Sequence, residues 1–460
     1  MKKVQIVYPV ILVILLISIS ERLSAQKLFQ TFKKKNLAEF CKTLKKQPNL
    51  INLLNYEGSA VIHLAARNNS SAFIRAAIQY RAFIDIKDSS GCTALMYASR
   101  NGNFENTELL LSAGANLELI DNSGRTALFY SIENDQVFDY LISKGANINA
   151  QNLERKTPLI VAIEKGFIQS ALYLVNKGAD LTLTDNDGNT PLHYAMEPSA
   201  KELTESILLH GAEPNPRNNE AKTPLMYACW NDKSSYVSYL ISKGVPVNQK
   251  DNYGYTPLMN AVTNDHTEIA SILIRHGATI NDRNYQGATA LHVSIIMQSF
   301  PNVELLADED ADLQQPTLSG CTPLMLSCFN GDVVITDFLL KKGVNIHATD
   351  LLGRTPMMYF FSLEKEKIIL QDKYLTLAGK SLLELLLNKG TNINAVDNNG
   401  NSALMYAADL GLPSFVDFLL SRNADPSLTN SDGYTYRDIG KGKKLYRSEI
   451  TLSEIPATIK

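Results

Sequence analysis

Apolar positions along this chain fall into pairs of short helical stripes separated by polar turns, and residues 254–278 show the whole pattern. Leu258, Met259, Ala261 and Val262 give an apolar face to a helix that opens at Thr256-Pro257, with Thr as cap and Pro in the first turn, where its missing N–H costs nothing. Ile269, Ile272 and Leu273 fall at i, i+3 and i+4, the stripe of a second amphipathic helix. Gly254 suits a turn with positive φ, and Gly277 stands where a helix-stopping glycine belongs. The stretch predicts a turn, a helix, a tight corner, a second helix and a stop.

The unit recurs. Its starting Thr reappears at Thr93, Thr126, Thr157, Thr190, Thr223, Thr256, Thr289, Thr322, Thr355, Ser402 and Thr435, with a degenerate copy at Ala60. Every step is 33 residues except 31 between Thr126 and Thr157 and 47 between Thr355 and Ser402. Thr190–Ala195 reads TPLHYA and Thr289–Ser294 reads TALHVS. On these residues the chain resembles the ankyrin-repeat family over about 400 of its 460 residues. The resemblance implies an all-α solenoid of about twelve helix-turn-helix units with short β-turn fingers. Each unit would touch only its neighbours, so the chain is expected to form one elongated domain.

The repeats are expected to run from 55 to 435, behind an N-terminal capping unit at 27–54. In that cap, Lys27–Phe32 and Leu37–Lys46 read as two short helices with lysines outside, as a terminal unit needs one polar face. Residues 436–460 read as a truncated last unit, a C-terminal cap and a tail from about Glu449. Two irregularities break the period. The unit starting at Thr126 lacks two residues, which points to a tighter corner near Asn134-Asp135. The unit starting at Thr355 carries an insertion at about 364–377, expected to extend the first helix and fold back.

Residues 1–25 read as a targeting segment. Lys2 and Lys3 precede a largely apolar run, Val4–Ile19, and Leu23-Ser24-Ala25 offers a cut after Ala25. The expectation is export, to the periplasm or outside, after cleavage. The alternative is a membrane tether through residues 4–19, a run shorter than the ~20 residues a spanning helix needs and interrupted by Pro9.

A net charge of −3 gives no reason to expect nucleic acid. Five cysteines without a CxxC read as free thiols, with no zinc site. Cys92 and Cys321 share one slot in units seven apart, far beyond bridging distance. His63, His193 and His292 share a slot that Met96, Met226, Met259, Met325, Met358 and Met405 fill elsewhere, so the slot is structural. An Asp or Asn five positions before most starting threonines reads as a turn former, because the spacing is too wide to share a metal. Gly379-Lys380-Ser381 ends like a phosphate loop, but Tyr374 stands where its first Gly belongs. No catalytic set is nominated, and neither metal nor cofactor is expected.

What remains is a binding surface. The resemblance implies a protein partner gripped on the concave side, by finger tips and the exposed ends of the first helices. Most tips are polar, as at Ser89-Ser90 and Asn122-Ser123, but four successive later ones are apolar: Tyr253 with Tyr255, Tyr285, Leu318, and Leu351 with Leu352. Trp230 and Phe329 hold equivalent slots at the end of their helices. Tyr253, Tyr255, Tyr285, Leu351, Leu352, Trp230 and Phe329 are therefore the expected partner-binding residues. The expected function is a non-catalytic protein–protein interaction scaffold. The alternatives are an immunity- or inhibitor-type protein masking an exported enzyme, and an enzyme using the 364–377 insertion.

Overall fold

The computed structural model describes residues 24–196, 201–362, 372–443 and 445. The targeting segment up to Leu23, the first part of the insertion and the tail from residue 446 lie outside the described residues. The chain divides into two compact units, one ending at Asn219 and one starting at Glu220, and both are built from the same motif.

The first unit opens with a cap. A helix over residues 24–33, the helix Leu37–Lys46 and a short 3-10 turn at Pro48–Asn52 bury Leu28, Phe29, Phe32, Phe40, Leu44, Leu50 and Ile51. Phe32 and Phe40 both meet Phe73 of the first repeat edge to face, at 4.9 and 5.1 Å. Lys33, Lys34, Lys35, Lys42, Lys45 and Lys46 stay exposed. Helix pairs follow, beginning with Val61–Arg67 and Ser71–Gln79, then Ala94–Arg100 and Phe104–Ser112. First helices pack on first helices and second on second, as in the pair Val61–Arg67 and Ala94–Arg100.

The second unit repeats this arrangement from Pro224–Trp230 onward to Tyr436–Gly440. Its core is a column set by the repeat. Leu225, Leu258, Leu291, Leu324, Met357 and Leu404, all two residues after the starting Thr or Ser, are at most 2% exposed. Thr223, Thr256 and Thr322 cap their helices as expected, each side-chain oxygen accepting the N–H three residues on.

Two expectations about the irregular units are corrected. In the Thr126 unit the corner keeps its length, and the missing residues come from the first helix. That helix, Ala127–Ser131, has 5 residues against 7 in Ala94–Arg100. In the Thr355 unit the first helix stops at Phe360, and it is the second that grows. Asp372–Asn388 has 17 residues against 9 in Val333–Lys341. Within it, a Cβ on Gly379 would stand 2.6 Å from Phe360 and 2.9 Å from Phe415. The glycine that imitates a phosphate loop is there because two phenylalanine rings lie against the helix.

Candidate protein-interaction surface

Each finger is shaped by the Asp or Asn that precedes it. In the finger 251–255 the Asp251 carboxylate accepts the N–H of Tyr253 at 2.9 Å and of Tyr255 at 2.8 Å, while Gly254 N–H returns to the Asp251 carbonyl. Asn284 and Asp350 hold their fingers in the same way, and Thr317 substitutes with its hydroxyl. Such a turn exposes two tip residues and directs the residue before the starting Thr inward.

Fingers are then bonded to one another. The N–H of Asn252 donates to Glu220 carbonyl, Tyr285 to Tyr253, Leu318 to Gln286, Leu351 to Ser319 and Asn398 to Leu352. The tips of the second unit thus form a continuous ladder that sequence reasoning did not foresee. A second ladder runs along the corners, where Asn264 Nδ2 donates to the Trp230 carbonyl and Asn330 Nδ2 to the Ile295 carbonyl.

The seven expected residues divide on this frame. Tyr253, Tyr285 and Leu351 are 47%, 63% and 70% exposed, and Leu352 is half-buried beside them. The ladder brings these four together, with Leu318, 64% exposed, between Tyr285 and Leu351. Leu318 is not among the seven, although it occupies the same slot as Tyr285 and Leu351, and that shared slot is the sequence signal that could have added it. Trp230 is 37% exposed but ends its helix at the corner, away from the tips. Two expectations are corrected. Tyr255 is buried, because left-handed Gly254 and the Asp251 turn rotate it inward. Phe329 is buried too, because its helix runs on to Asn330 and closes at left-handed Gly331, which keeps the ring within the last turn.

The strip is uncharged. The tip pairs 252–253, 285–286, 318–319 and 351–352 contain no acid or base, nor do the first-helix ends at 263–264, 296–297 and 329–330. The equivalent helix ends in the first unit carry Arg100, Glu133, Glu164 and Lys165. Cations in and beside these fingers are engaged: Lys250 Nζ donates to the Arg283 carbonyl, the Arg283 guanidinium to the Pro316 carbonyl, and Arg354 pairs with Asp350.

The titratable columns are structural. Nδ1 of His63, His193 and His292 accepts the N–H of Ala60, Thr190 and Thr289, and the sulfurs of Met96, Met325 and Met358 take the same bond from Thr93, Thr322 and Thr355. Burial pulls the His292 imidazole down to about 4, leaving it neutral at physiological pH. Tyr97, Tyr130 and Tyr194 in the first unit donate to Asp88, Asp121 and Asp185, and Tyr359 and Tyr406 in the second to Asp350 and Asp397. Cys92, Cys229, Cys321 and Cys328 are buried free thiols, and burial pushes Cys328 up to about 12. Among the described residues no cluster of His, Cys, Asp and Glu has the makings of a metal site.

The turn-helix-helix unit, the finger ladder and the corner ladder define a helical repeat protein. A family model described as ankyrin repeats in three copies matches residues 28–121, 62–152, 106–185, 137–218, 177–251, 196–284, 246–317 and 372–430, and a single ankyrin-repeat model matches 319–351. The chain belongs to the ankyrin-repeat family. Ankyrin repeats generally mediate protein–protein interaction, and proteins built from them are typically non-enzymatic scaffolds. No curated protein matches the chain.

Proposed function

We propose that this chain is a non-catalytic interaction scaffold that grips a protein partner on the finger ridge of its second unit. The observation that carries the reading is the run Tyr285, Leu318, Leu351: three consecutive tips, each more than 60% exposed, in fingers bonded to one another. Soluble proteins rarely leave contiguous apolar surface in water unless it is an interaction site, and Tyr and Trp are favoured anchors. Trp230 supplies a separate anchor at the corner.

Isothermal titration of the isolated partner against the full chain tests the reading. Tyr285→Ser and Leu351→Ser should each weaken binding roughly tenfold or more, with the circular dichroism spectrum unchanged. Asn122→Ala should be silent. Wild-type affinity in both tip variants would sink the assignment.

The scaffold is, on the same reading, exported. Lys2, Lys3 and the apolar run Val4–Ile19 support a segment removed after Ala25. Ala25 is buried in the helix over 24–33, so the cut has to precede folding of that helix. No described helix is long and apolar enough to cross a membrane. N-terminal sequencing of the native protein should begin at Gln26. A blocked or intact Met1 in a membrane fraction would favour the tether through residues 4–19, and in a soluble cytoplasmic fraction would end both readings.

A further inference from the structure

We infer that the N-terminal cap is a docking face for an anionic lipid surface, held by a row of lysines and by an exposed aromatic finger beside them. The inference lies outside the ridge reading and holds whether or not the segment before Gln26 is removed.

The first observation is an unbalanced charge. Residues 24–60 carry seven lysines against Glu39 and Glu57, in a chain whose net charge is −3. In the helix Leu37–Lys46, Phe40 and Leu44 are buried, and Phe40 meets Phe73 of the first repeat. At about 100° per residue, Lys42, Lys45 and Lys46 fall on the opposite face. Glu39 lies 3.5 Å from Lys27 Nζ and 3.9 Å from Lys42 Nζ, which joins the polar edges of the two cap helices. No acid among the described residues pairs with Lys33, Lys34, Lys35, Lys45 or Lys46, all of them exposed. A terminal unit needs a polar outer face, and mixed charges would supply one without self-repulsion. A row of like cations is relieved by an anionic surface instead.

The second observation is apolar. Tyr56 is 88% exposed, and Leu54 is exposed beside it on the first finger. Both line a hollow of about 720 Å³, together with Ala25, Phe29, Lys33 and Leu53. Lys33 thus joins the lysine row to the apolar finger. This is the pairing that a headgroup layer takes: a Tyr ring at the level of the headgroups, and lysine stems along apolar surface with their amines at the phosphates.

Two features select lipid over nucleic acid. Residues 24–60 contain no arginine, and Phe29, Phe32 and Phe40 are buried, so the cap offers no bidentate phosphate clamp and a single ring for stacking. Position is the other. The apolar run Val4–Ile19 ends five residues before Ser24, so a chain that keeps the run holds the cap within about 17 Å of it.

The test sediments the full chain with vesicles of phosphatidylcholine alone, or of phosphatidylcholine and phosphatidylglycerol in roughly equal parts. The apolar run can enter either membrane, so the ratio between the two is what is read. Anionic vesicles should bind at least about tenfold tighter, a preference that high salt removes. Lys42→Gln combined with Lys45→Gln should lower the preference about tenfold. Tyr56→Ser should weaken binding about threefold and leave its salt dependence unchanged. Lys441→Gln combined with Lys443→Gln removes the same charge from exposed positions in the second unit and should change nothing. Circular dichroism should be that of wild type throughout. Equal binding to both vesicles, or an equal fall in the Lys441 and Lys443 variant, overturns the inference. Wild-type binding by Tyr56→Ser overturns the face assigned, and displacement of the vesicles by an equal charge of single-stranded DNA makes the cap a nucleic-acid site instead.

Discussion

The backbone N–H of Tyr285 donates to the carbonyl of Tyr253 at 3.1 Å, and that bond sets two exposed aromatic tips side by side. Gly254 makes the approach feasible. Its φ is +82°, and a Cβ there would stand 2.8 Å from Tyr285 N and 2.9 Å from Asn284 Cα. The apolar ridge therefore depends on a residue with no side chain, one position after a tip it does not itself form.

Gly254→Ala should accordingly destabilise the second unit by about 1–3 kcal/mol, from left-handed strain and the displaced neighbouring finger. Tyr285→Ser, at an exposed tip, should stay within about 0.5 kcal/mol of wild type. Urea unfolding of both variants checks this. Equal midpoints would mean that the fingers are not packed as closely as the bond implies.

Asp251 differs from its counterparts. Asp88, Asp121, Asp185, Asp350 and Asp397 each receive a Tyr hydroxyl, but Asn260 occupies that Tyr position above Asp251 and donates to the Thr256 carbonyl instead. Burial is the largest influence on the Asp251 carboxyl and pushes it above the usual range, against the N–H groups of Tyr255 and Tyr253 and the charge of Lys222. Burial is also the largest influence on Asp121 and Asp185, but there the Tyr hydroxyl and neighbouring donors outweigh it and hold the carboxyl low. A carboxyl raised by folding opposes folding when ionised, and the penalty fades as pH drops through its folded-state value. Those held low contribute stability above the unfolded-state value and lose it as pH falls through their still lower folded-state value. Asp251→Asn keeps the oxygen that accepts both finger N–H groups. It should stabilise the protein at pH 7, and the gain should shrink as the pH falls through the carboxylate range in parallel urea titrations. A gain independent of pH would show that charge burial is not its source.

The repeat made the helices legible because helix register follows from apolar spacing, which the 33-residue period restates in unit after unit. Leu258 and Thr256 needed no structure to be placed. Side-chain exposure at the tips was less legible. Tyr253 and Tyr255 look alike in a strand-like alternation, but the intervening left-handed glycine breaks that alternation and turns Tyr255 inward. The insertion misled for a different reason. Its charged start resembled a continuation of the first helix, whereas Phe360 and Phe361 pack inward and end that helix.

Asn106 and Asn302 occupy one core slot, filled elsewhere by Ile269, Ile335 and Phe415, and both are fully buried. Asn302 Nδ2 donates to Asp265 and to Ser299. Neither Oδ1 nor Nδ2 of Asn106 has a partner, and Ser99 Oγ, also buried, has none. Asn106→Ile should therefore stabilise the first unit by about 1–3 kcal/mol, by removing an unsatisfied buried amide. Asn302→Ile should gain less than Asn106→Ile, since it gives up two hydrogen bonds from Nδ2, to Asp265 and to Ser299, which stay bonded to each other. Differential scanning calorimetry distinguishes the two; a lower Tm for Asn106→Ile would mean that a buried water satisfies the amide.

Leu258 is 1% exposed at the centre of the second unit's core column, between Leu225 and Leu291 in the repeats on either side. Truncating it leaves a cavity that two rigid neighbouring helices, Pro224–Trp230 and Ala290–Ile296, cannot collapse into. Leu258→Ala should cost roughly 2–5 kcal/mol. In a repeat stack, stability is a sum of unit and nearest-neighbour terms, so the loss should stay local. Hydrogen exchange should show faster opening across residues 223–322 and unchanged protection across 61–112, while urea unfolding changes from one transition to more than one. A single transition shifted uniformly, with protection lost equally in both stretches, would refute nearest-neighbour coupling and show that the whole chain folds as one cooperative unit.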